Sequence, residues 1–191
     1  MLSEKQFRER ARGELRQIGD ELLSVAGDRN IYWRVERDII AHNPQLHNAR
    51  NAFLDMLRGC YADAMTVRVL RLLSAGDGEV SLPAILARLA DYPQLLQDRI
   101  TEHEFADDRA ALEQAAAALK RVAMPHTGRH ERSLPALAAV HRELDAAIEL
   151  LLPMVKTYYW IIADRHIDLE ASYSGDALSI FQCAWAVPIL A

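Results

Sequence analysis

Cysteine is scarce in this 191-residue chain, which contains only Cys60 and Cys183. The two residues are far apart, both lie in apolar surroundings, and neither belongs to a pair with the spacing of a metal or redox motif. This pattern excludes a disulfide framework and a cysteine-based zinc site. We expect both cysteines to be buried thiols in a reducing compartment.

Lysine is also scarce, since the chain has 3 lysines against 19 arginines and a net charge of −5. A protein with this charge has no general electrostatic attraction for nucleic acid. Any nucleic-acid site must therefore be a local basic patch.

Long hydrophobic runs without a charged residue are missing as well. The most apolar stretch, ALSIFQCAWAVPILA at residues 177–191, has 15 residues and contains Gln182 and Pro188, which is too short for a membrane span. The N-terminal segment is charged and has no apolar signal core. We therefore predict a cytoplasmic protein without membrane association. Residues 166–191 form an apolar tail that we expect to be buried or at a subunit interface.

Helical periodicity extends through almost the whole chain, and no segment alternates with period two for long enough to form a strand. Ser3 and Gln6 predict a capping box for a first helix that ends near Ala26, where AGDRN breaks the pattern. A second helical pattern covers Ile31 to His42.

Two long helices follow. The first is predicted from Asn48 to Ser74, and the last begins after Ser133 and is expected to be kinked near Pro153. In the first of these, apolar residues at steps of three and four predict the buried face: Phe53, Met56, Leu57, Cys60, Ala64, Val67 and Leu70. The fold class predicted is all-α, with residues 1–191 forming a single-domain helical bundle of about six helices.

A short basic segment, KRVAMPHTGRHERS, precedes the last helix. It contains four basic residues and one acidic residue, which give a local charge of +3. Arg121 and His126 have the R-x4-H spacing, in which the arginine can bind a phosphate and the histidine can move a proton. Such a pair has the chemistry needed to cleave RNA without a metal. The other basic side chains are predicted phosphate ligands: Lys120, Arg129, Arg132 and His130.

Two other interpretations of this segment stay open. His126 and His130 have the H-x3-H spacing of a metal pair, but a structural zinc site needs four ligands and the segment offers two. The segment is also compatible with a solvated connection whose arginines pair with acidic neighbours. We predict no metal and no cofactor.

A second R-x4-H pair lies upstream, in RDIIAH, and consists of Arg37 and His42. It is the alternative catalytic site. The two pairs differ in context, because an acidic residue follows Arg37 directly, whereas Arg121 lies just before the last long helix.

Several segments resemble the HEPN superfamily, and in particular its AbiU-type abortive-infection proteins. They are YWRVERDIIAHNPQL, VLRLLSAGDGEVSLPAIL, and VAMPHTGRHERS followed by a helix ending in TYYWII, and together they span residues 28–165. The ribonuclease motif of that superfamily is an arginine, four to six residues, and a histidine. In that superfamily the motif lies just before the long C-terminal helix, and this position favours Arg121 and His126. The acidic residue after the arginine, common in HEPN motifs, favours Arg37 and His42.

The resemblance implies a metal-independent ribonuclease of a phage-defence or toxin–antitoxin system. In active HEPN proteins two subunits bring their motifs together, so it also implies a homodimer that acts on RNA and is controlled by an antitoxin or another partner protein. Many HEPN proteins lack activity. The alternative is therefore a catalytically inactive HEPN-like module for dimerisation, partner binding or nucleotide binding.

Overall fold

The first helix is longer than predicted. The computed structural model describes residues 2–43, 52–75, 80–124 and 134–169, and its helix α1 runs without interruption from Glu4 to Arg34. The predicted capping box is confirmed, since the Gln6 amide donates to Ser3 Oγ at 3.3 Å and the Ser3 amide donates to Gln6 Oε1 at 3.0 Å.

The predicted break at AGDRN is wrong. Gly27 is buried within α1, and the two residues after it form ion pairs with other helices, Asp28 with Arg68 and Arg29 with Asp145. A glycine inside a helix costs about 1 kcal/mol relative to alanine. Burial and cross-helix pairing offset that cost, so the helix continues through the glycine.

A single π-helical turn, Val35–Ile40, extends α1 beyond Arg34. The Ala41 amide donates to the Glu36 carbonyl at 3.0 Å, the five-residue step that defines a π-turn. The predicted separate helix over Ile31 to His42 is thus the end of α1 and its π-turn.

Five further α-helices follow in the described residues, with no strand among them: α2 (Ala52–Leu73), α3 (Leu82–Leu89), α4 (Pro93–Leu96), α5 (Glu102–Ala123) and α6 (Leu134–Ala163). Ser81 caps α3 and Thr101 caps α5 through their side-chain oxygens. The all-α prediction, with about six helices and a long C-terminal helix, is confirmed.

Helices α1, α2, α5 and α6 alternate in direction and enclose the hydrophobic core. Cross-helix contacts define the directions: Arg8 at the start of α1 donates to the Ile162 carbonyl at 3.1 Å, whereas Arg29 near its end pairs with Asp145 at 2.6 Å. The short helices α3 and α4 cover the end where α1 begins. There the Phe7 and Tyr92 rings stack with centroids 4.3 Å apart.

Apolar residues also recur at helical spacing along the last helix in the sequence, and they form the buried face of α6. Described members of the stripe all lie in the core: Leu137, Leu144, Ile148, Leu151, Val155, Tyr158 and Ile162. The helix continues through Pro153, which is exposed, and the kink there stays a prediction. This helix, over Pro135–Ala163, is apolar and long enough to span a membrane by length and composition alone, and half of its most apolar window is buried inside the bundle.

The predicted inner stripe of α2 is wrong, because most of it faces outward. Met56, Leu57 and Val67 are 48%, 39% and 56% exposed, and Ala64 and Cys60 are exposed too, so the prediction of a buried Cys60 thiol is also wrong. The opposite face enters the core: Leu54, Ala62, Met65, Val69, Leu72 and Leu73. Helix α2 is apolar on both sides, so periodicity alone could not choose between them. Phe53 and Cys183 lie outside the residues whose side chains are described.

Gly13 and Gly19 of α1 provide a test of how the segment after α6 packs. A Cβ atom on Gly19 would lie 2.9 Å from Leu169 Cδ2 and 3.3 Å from Ile167 Cδ1, whereas one on Gly13 has nothing within 4 Å. We expect Gly19→Leu to lower the free energy of unfolding by about 1–3 kcal/mol. Gly13→Leu should raise it by about 0.5–1 kcal/mol, since only helix propensity changes.

Thermal or urea unfolding of the two variants measures both changes. Equal effects at the two glycines would contradict the packing of Ile167 and Leu169 against α1.

Candidate functional site

The described residues include only the first part of the basic segment before α6. Lys120 and Arg121 are exposed in the last turn of α5. His126, Arg129, His130 and Arg132 lie outside the described residues, so the geometry of the first R-x4-H pair stays a prediction.

The second pair is fully described: Arg37 lies on the π-turn, and His42 follows two residues after its end. Both side chains are exposed, and His42 Nδ1 lies 3.0 Å from the Arg37 carbonyl oxygen. A carbonyl only accepts hydrogen bonds, so Nδ1 carries the proton of that bond. In a neutral ring the basic nitrogen is then Nε2, which is the atom able to take a proton from a ligand.

Asp38 holds the guanidinium of Arg37. Arg37 Nε donates to Asp38 Oδ1 at 2.9 Å, and the Arg37 side chain is 72% exposed. This hydrogen bond lowers the pKa of Asp38 and raises that of Arg37, so both stay charged around neutral pH. The pairing uses one of the five N–H donors of the guanidinium, and the remaining donors suit a phosphate group.

Arg37, His42 and Arg121 lie at the same end of the bundle. Helices α1 and α6 are antiparallel, so the π-turn after α1 lies near the start of α6. Helix α5 is antiparallel to α6 as well, because Tyr158 near the end of α6 donates to Asp108 near the start of α5 at 2.7 Å. Arg121, in the last turn of α5, is therefore at this end too.

An open cavity of about 570 Å³ lies between the end of α1 and the first half of α6 at this end. Its walls come from three helices: Tyr32, Trp33 and Glu36 from α1 and its π-turn, Arg58 from α2, and His141 and Asp145 among others from α6. Pockets of 300–1,000 Å³ are the usual size for small-molecule sites.

Aromatic rings form the apolar wall of this cavity. Tyr32 stacks on Tyr61 with ring centroids 3.9 Å apart and planes 4° apart. The His141 ring meets Tyr32, Trp33 and Tyr61 at steep angles of 67° to 77°. Tyr32 and His141 are each only 8% exposed, whereas Trp33 is 38% exposed. The cluster is therefore a fixed set of buried rings with one indole left accessible.

An ion pair closes the side of the cavity formed by α2. Arg58 donates from Nε and Nη2 to the two oxygens of Glu36 at 2.6 and 2.8 Å, and both side chains are 18% exposed. Two parallel bonds make this the geometry in which arginine and carboxylate bind most strongly. Burial and the neighbouring Glu36 carboxylate raise the pKa of Tyr32, so its hydroxyl stays protonated beside the pair.

A second acidic group borders the cavity on α6. Asp145 and Glu149 both pair with Arg29 of α1, with N–O distances of 2.6 and 2.9 Å. These pairs join α1 to α6 immediately beside the aromatic cluster. The cavity is thus lined by aromatic rings and by carboxylates whose charges are partly balanced by arginines.

The sequence does not identify most of the cavity residues as members of a site. Tyr32 and Trp33 belong to one of the segments that resemble the HEPN superfamily, but Arg58, His141 and Asp145 lie on helices where their residue types suit an ordinary surface or core. Their proximity depends on the packing of three helices. In the described residues no group of three or more histidine, cysteine, aspartate or glutamate side chains is arranged to hold a metal ion.

Comparison of the chain with protein-family models, curated proteins and solved structures finds no match.

The Glu36–Arg58 pair should contribute to stability as well as to cavity shape. We expect Arg58→Met to lower the free energy of unfolding by about 1–3 kcal/mol, because Glu36 is left partly buried without its partner. The double variant Glu36→Gln with Arg58→Met should recover much of that loss, since no charge stays uncompensated.

Urea unfolding measures both variants. Arg142→Met is the matched control at the same cavity, because Arg142 is 74% exposed and pairs with its neighbour Glu143, and it should change stability by less than about 0.5 kcal/mol. A loss in the control as large as that of Arg58→Met would show that the ion pair has no special role.

Proposed function

We propose that this protein is a metal-independent ribonuclease of a phage-defence or toxin–antitoxin system, acting in the cytoplasm, with Arg37 and His42 as its catalytic pair. The observation that carries the proposal is that Arg37 on the π-turn and His42 just after it are both exposed, with the His42 ring held by the Arg37 carbonyl. The phage-defence or toxin–antitoxin context rests on the resemblance to AbiU-type HEPN proteins.

The proposed chemistry needs two proton transfers and no metal. His42 Nε2 takes the proton of a ribose 2′-hydroxyl, and the 2′-oxygen attacks the adjacent phosphorus to form a 2′,3′-cyclic phosphate. The 5′-oxygen of the next nucleotide leaves with a proton from a protonated histidine, supplied in a homodimer by His42 of the second copy. Arg37 binds the phosphate oxygens, where negative charge increases in the transition state.

The basic segment before α6 has a supporting part in this proposal. Lys120 and Arg121 are exposed at the same end of the bundle as Arg37 and His42, and they suit the neighbouring phosphates of an RNA strand. The rival assignment makes Arg121 and His126 the catalytic pair, and substitution of the two histidines distinguishes them.

A homodimer is the assembly that the surface of α2 favours. Met56, Leu57, Cys60, Ala64 and Val67 form an exposed apolar stripe, which we call the outer face of α2. A helix that is apolar on opposite sides generally has both sides covered. The outer face is continuous with a shallow apolar groove lined by Ile31 and Val35 of α1 and the π-turn.

The same outer face supports the second candidate function, a catalytically inactive HEPN-like module that dimerises or binds a partner protein such as an antitoxin. In that case Arg37 and His42 are surface residues without a chemical role. Cleavage assays separate the two functions, because both predict association and only one predicts loss of RNA.

Cleavage of single-stranded RNA in the presence of EDTA tests the ribonuclease. We expect His42→Ala to reduce the rate at least about 100-fold, since a positioned general base typically contributes 10²- to 10⁴-fold. His103→Ala is the matched control: His103 is also an exposed histidine, with a side chain 87% exposed, but it lies in the first turn of α5.

The product end groups and the His126→Ala variant complete that test. A 2′,3′-cyclic phosphate and a 5′-hydroxyl are expected from the wild-type protein. If His126→Ala abolishes cleavage and His42→Ala does not, the catalytic pair is Arg121 and His126. Absence of any cleavage, with a folded protein, favours the inactive module.

Light scattering coupled to size-exclusion chromatography tests the outer face of α2. We expect a dimer for the wild-type chain and a monomer for Val67→Glu, because a charge within an apolar interface is desolvated without a partner. Ala87→Glu is the control, since Ala87 is an exposed position on α3 outside this face. A dimer that survives Val67→Glu would exclude the outer face as the interface.

A further inference from the structure

We propose that the cavity between α1 and α6 binds a nucleobase that carries an exocyclic amino group, with Trp33 as its stacking platform. The proposal deepens the proposed ribonuclease function by giving it a base-recognition site, and it rests on that function for RNA as the substrate. Binding of the base itself is a separate property that does not require cleavage.

The size and walls of the cavity suit a flat aromatic ligand. It encloses about 570 Å³ and opens to solvent beside the accessible indole of Trp33. The Trp33 ring meets Tyr32 at 5.4 Å and 72° and His141 at 5.7 Å and 77°. Edge-to-face contacts of this kind hold the indole in place. A fixed, accessible ring is what base stacking requires.

The pairing of charges around the cavity favours a base over a phosphate. Glu36, Asp145 and Glu149 line it, and the arginines nearest to them are already paired, Arg58 with Glu36 and Arg29 with Asp145 and Glu149. A phosphate placed there would have to compete with these carboxylates for the arginines, whereas a neutral base would not. A carboxylate has about four acceptor positions, so one that already pairs with an arginine can accept further hydrogen bonds.

The same carboxylates define which bases fit. Adenine, cytosine and guanine present amino groups that donate hydrogen bonds, whereas the corresponding edge of uracil or thymine has two carbonyl acceptors on either side of one N–H donor. Acceptors on the protein facing acceptors on the base are unfavourable. We therefore expect bases with an amino group to bind more tightly than thymine.

The cavity adjoins the proposed catalytic pair along the chain. Glu36 lines it, and the next residue, Arg37, is exposed on the outside of the same π-turn. A nucleotide with its base in the cavity would have its phosphate near the outer surface of this turn. Base binding would then select where in a single strand the ribonuclease cuts.

Isothermal titration calorimetry of the full chain with deoxynucleotides tests the site. Deoxynucleotides lack the 2′-hydroxyl that cleavage needs, so base binding succeeds or fails independently of the ribonuclease. We expect dAMP, dGMP or dCMP to bind at least about tenfold more tightly than dTMP, and Trp33→Ala to weaken binding about fivefold or more. Equal affinities for all four nucleotides would overturn the selectivity, and the absence of binding would overturn the site.

Trp160→Ala is the matched control. Trp160 is 37% exposed, nearly the same as Trp33, but it lies near the end of α6 at the other end of the bundle, where Arg99 packs over its ring at 5.0 Å. It should leave nucleotide binding unchanged. An equal loss in both tryptophan variants would remove the assignment to the cavity.

Two further arms complete the design. Ala138→Phe fills the cavity from an exposed position on α6, so it should abolish binding even if Trp33→Ala is poorly folded. The affinity for a short oligo(dA) strand shows whether the natural ligand is a base within a strand or a free nucleotide. Tighter binding of oligo(dA) than of dAMP indicates a base within a strand. Equal or weaker binding indicates a free nucleotide. Retained affinity in Ala138→Phe would overturn the proposal.

Discussion

The antiparallel packing of α1 against α6 is the interaction on which the rest of this structure depends. Both helices bury long apolar stripes, and burial of each large side chain contributes about 1.5–3 kcal/mol. Arg8 contacts the end of α6, and Arg29 pairs with its first half. These contacts fix the direction of one helix against the other. The π-turn, the last turn of α5 and the aromatic cavity therefore all belong to one end of the bundle.

Periodicity predicts the buried face of a helix correctly where only one of its faces is apolar. Helix α6 has one apolar stripe, and its periodicity identified the buried residues, as the Ser3–Gln6 box identified the start of α1. Helix α2 has apolar residues on two sides, and the sequence alone favoured the side that faces solvent. The break predicted at Gly27 failed because local propensity is weak compared with packing and cross-helix ion pairs.

In the candidate site, too, features formed by residues close in sequence could be predicted, and features formed by separate helices could not. The R-x4-H spacing of Arg37 and His42 is visible in the sequence because the two residues are only five positions apart. The cavity beside them is not, since Trp33, Arg58 and His141 come from three helices separated by many residues. Nothing in a single helix predicts that Glu36 reaches across to Arg58, or that the His141 ring meets two tyrosines. Those contacts appear only when the bundle is assembled.

The π-turn explains how one short segment can serve both the cavity and the exposed surface. In an α-helix, residues five apart are rotated by about 140° from each other, which would separate Arg37 from His42. In the π-turn the five-residue hydrogen bond brings such residues together, and His42 Nδ1 continues the pattern by bonding the Arg37 carbonyl. Glu36 still points inward to Arg58, so the pair in the cavity is intact. One added residue per turn thus places a carboxylate inside and an arginine with a histidine outside, which is the separation that a base site and a phosphate site would need.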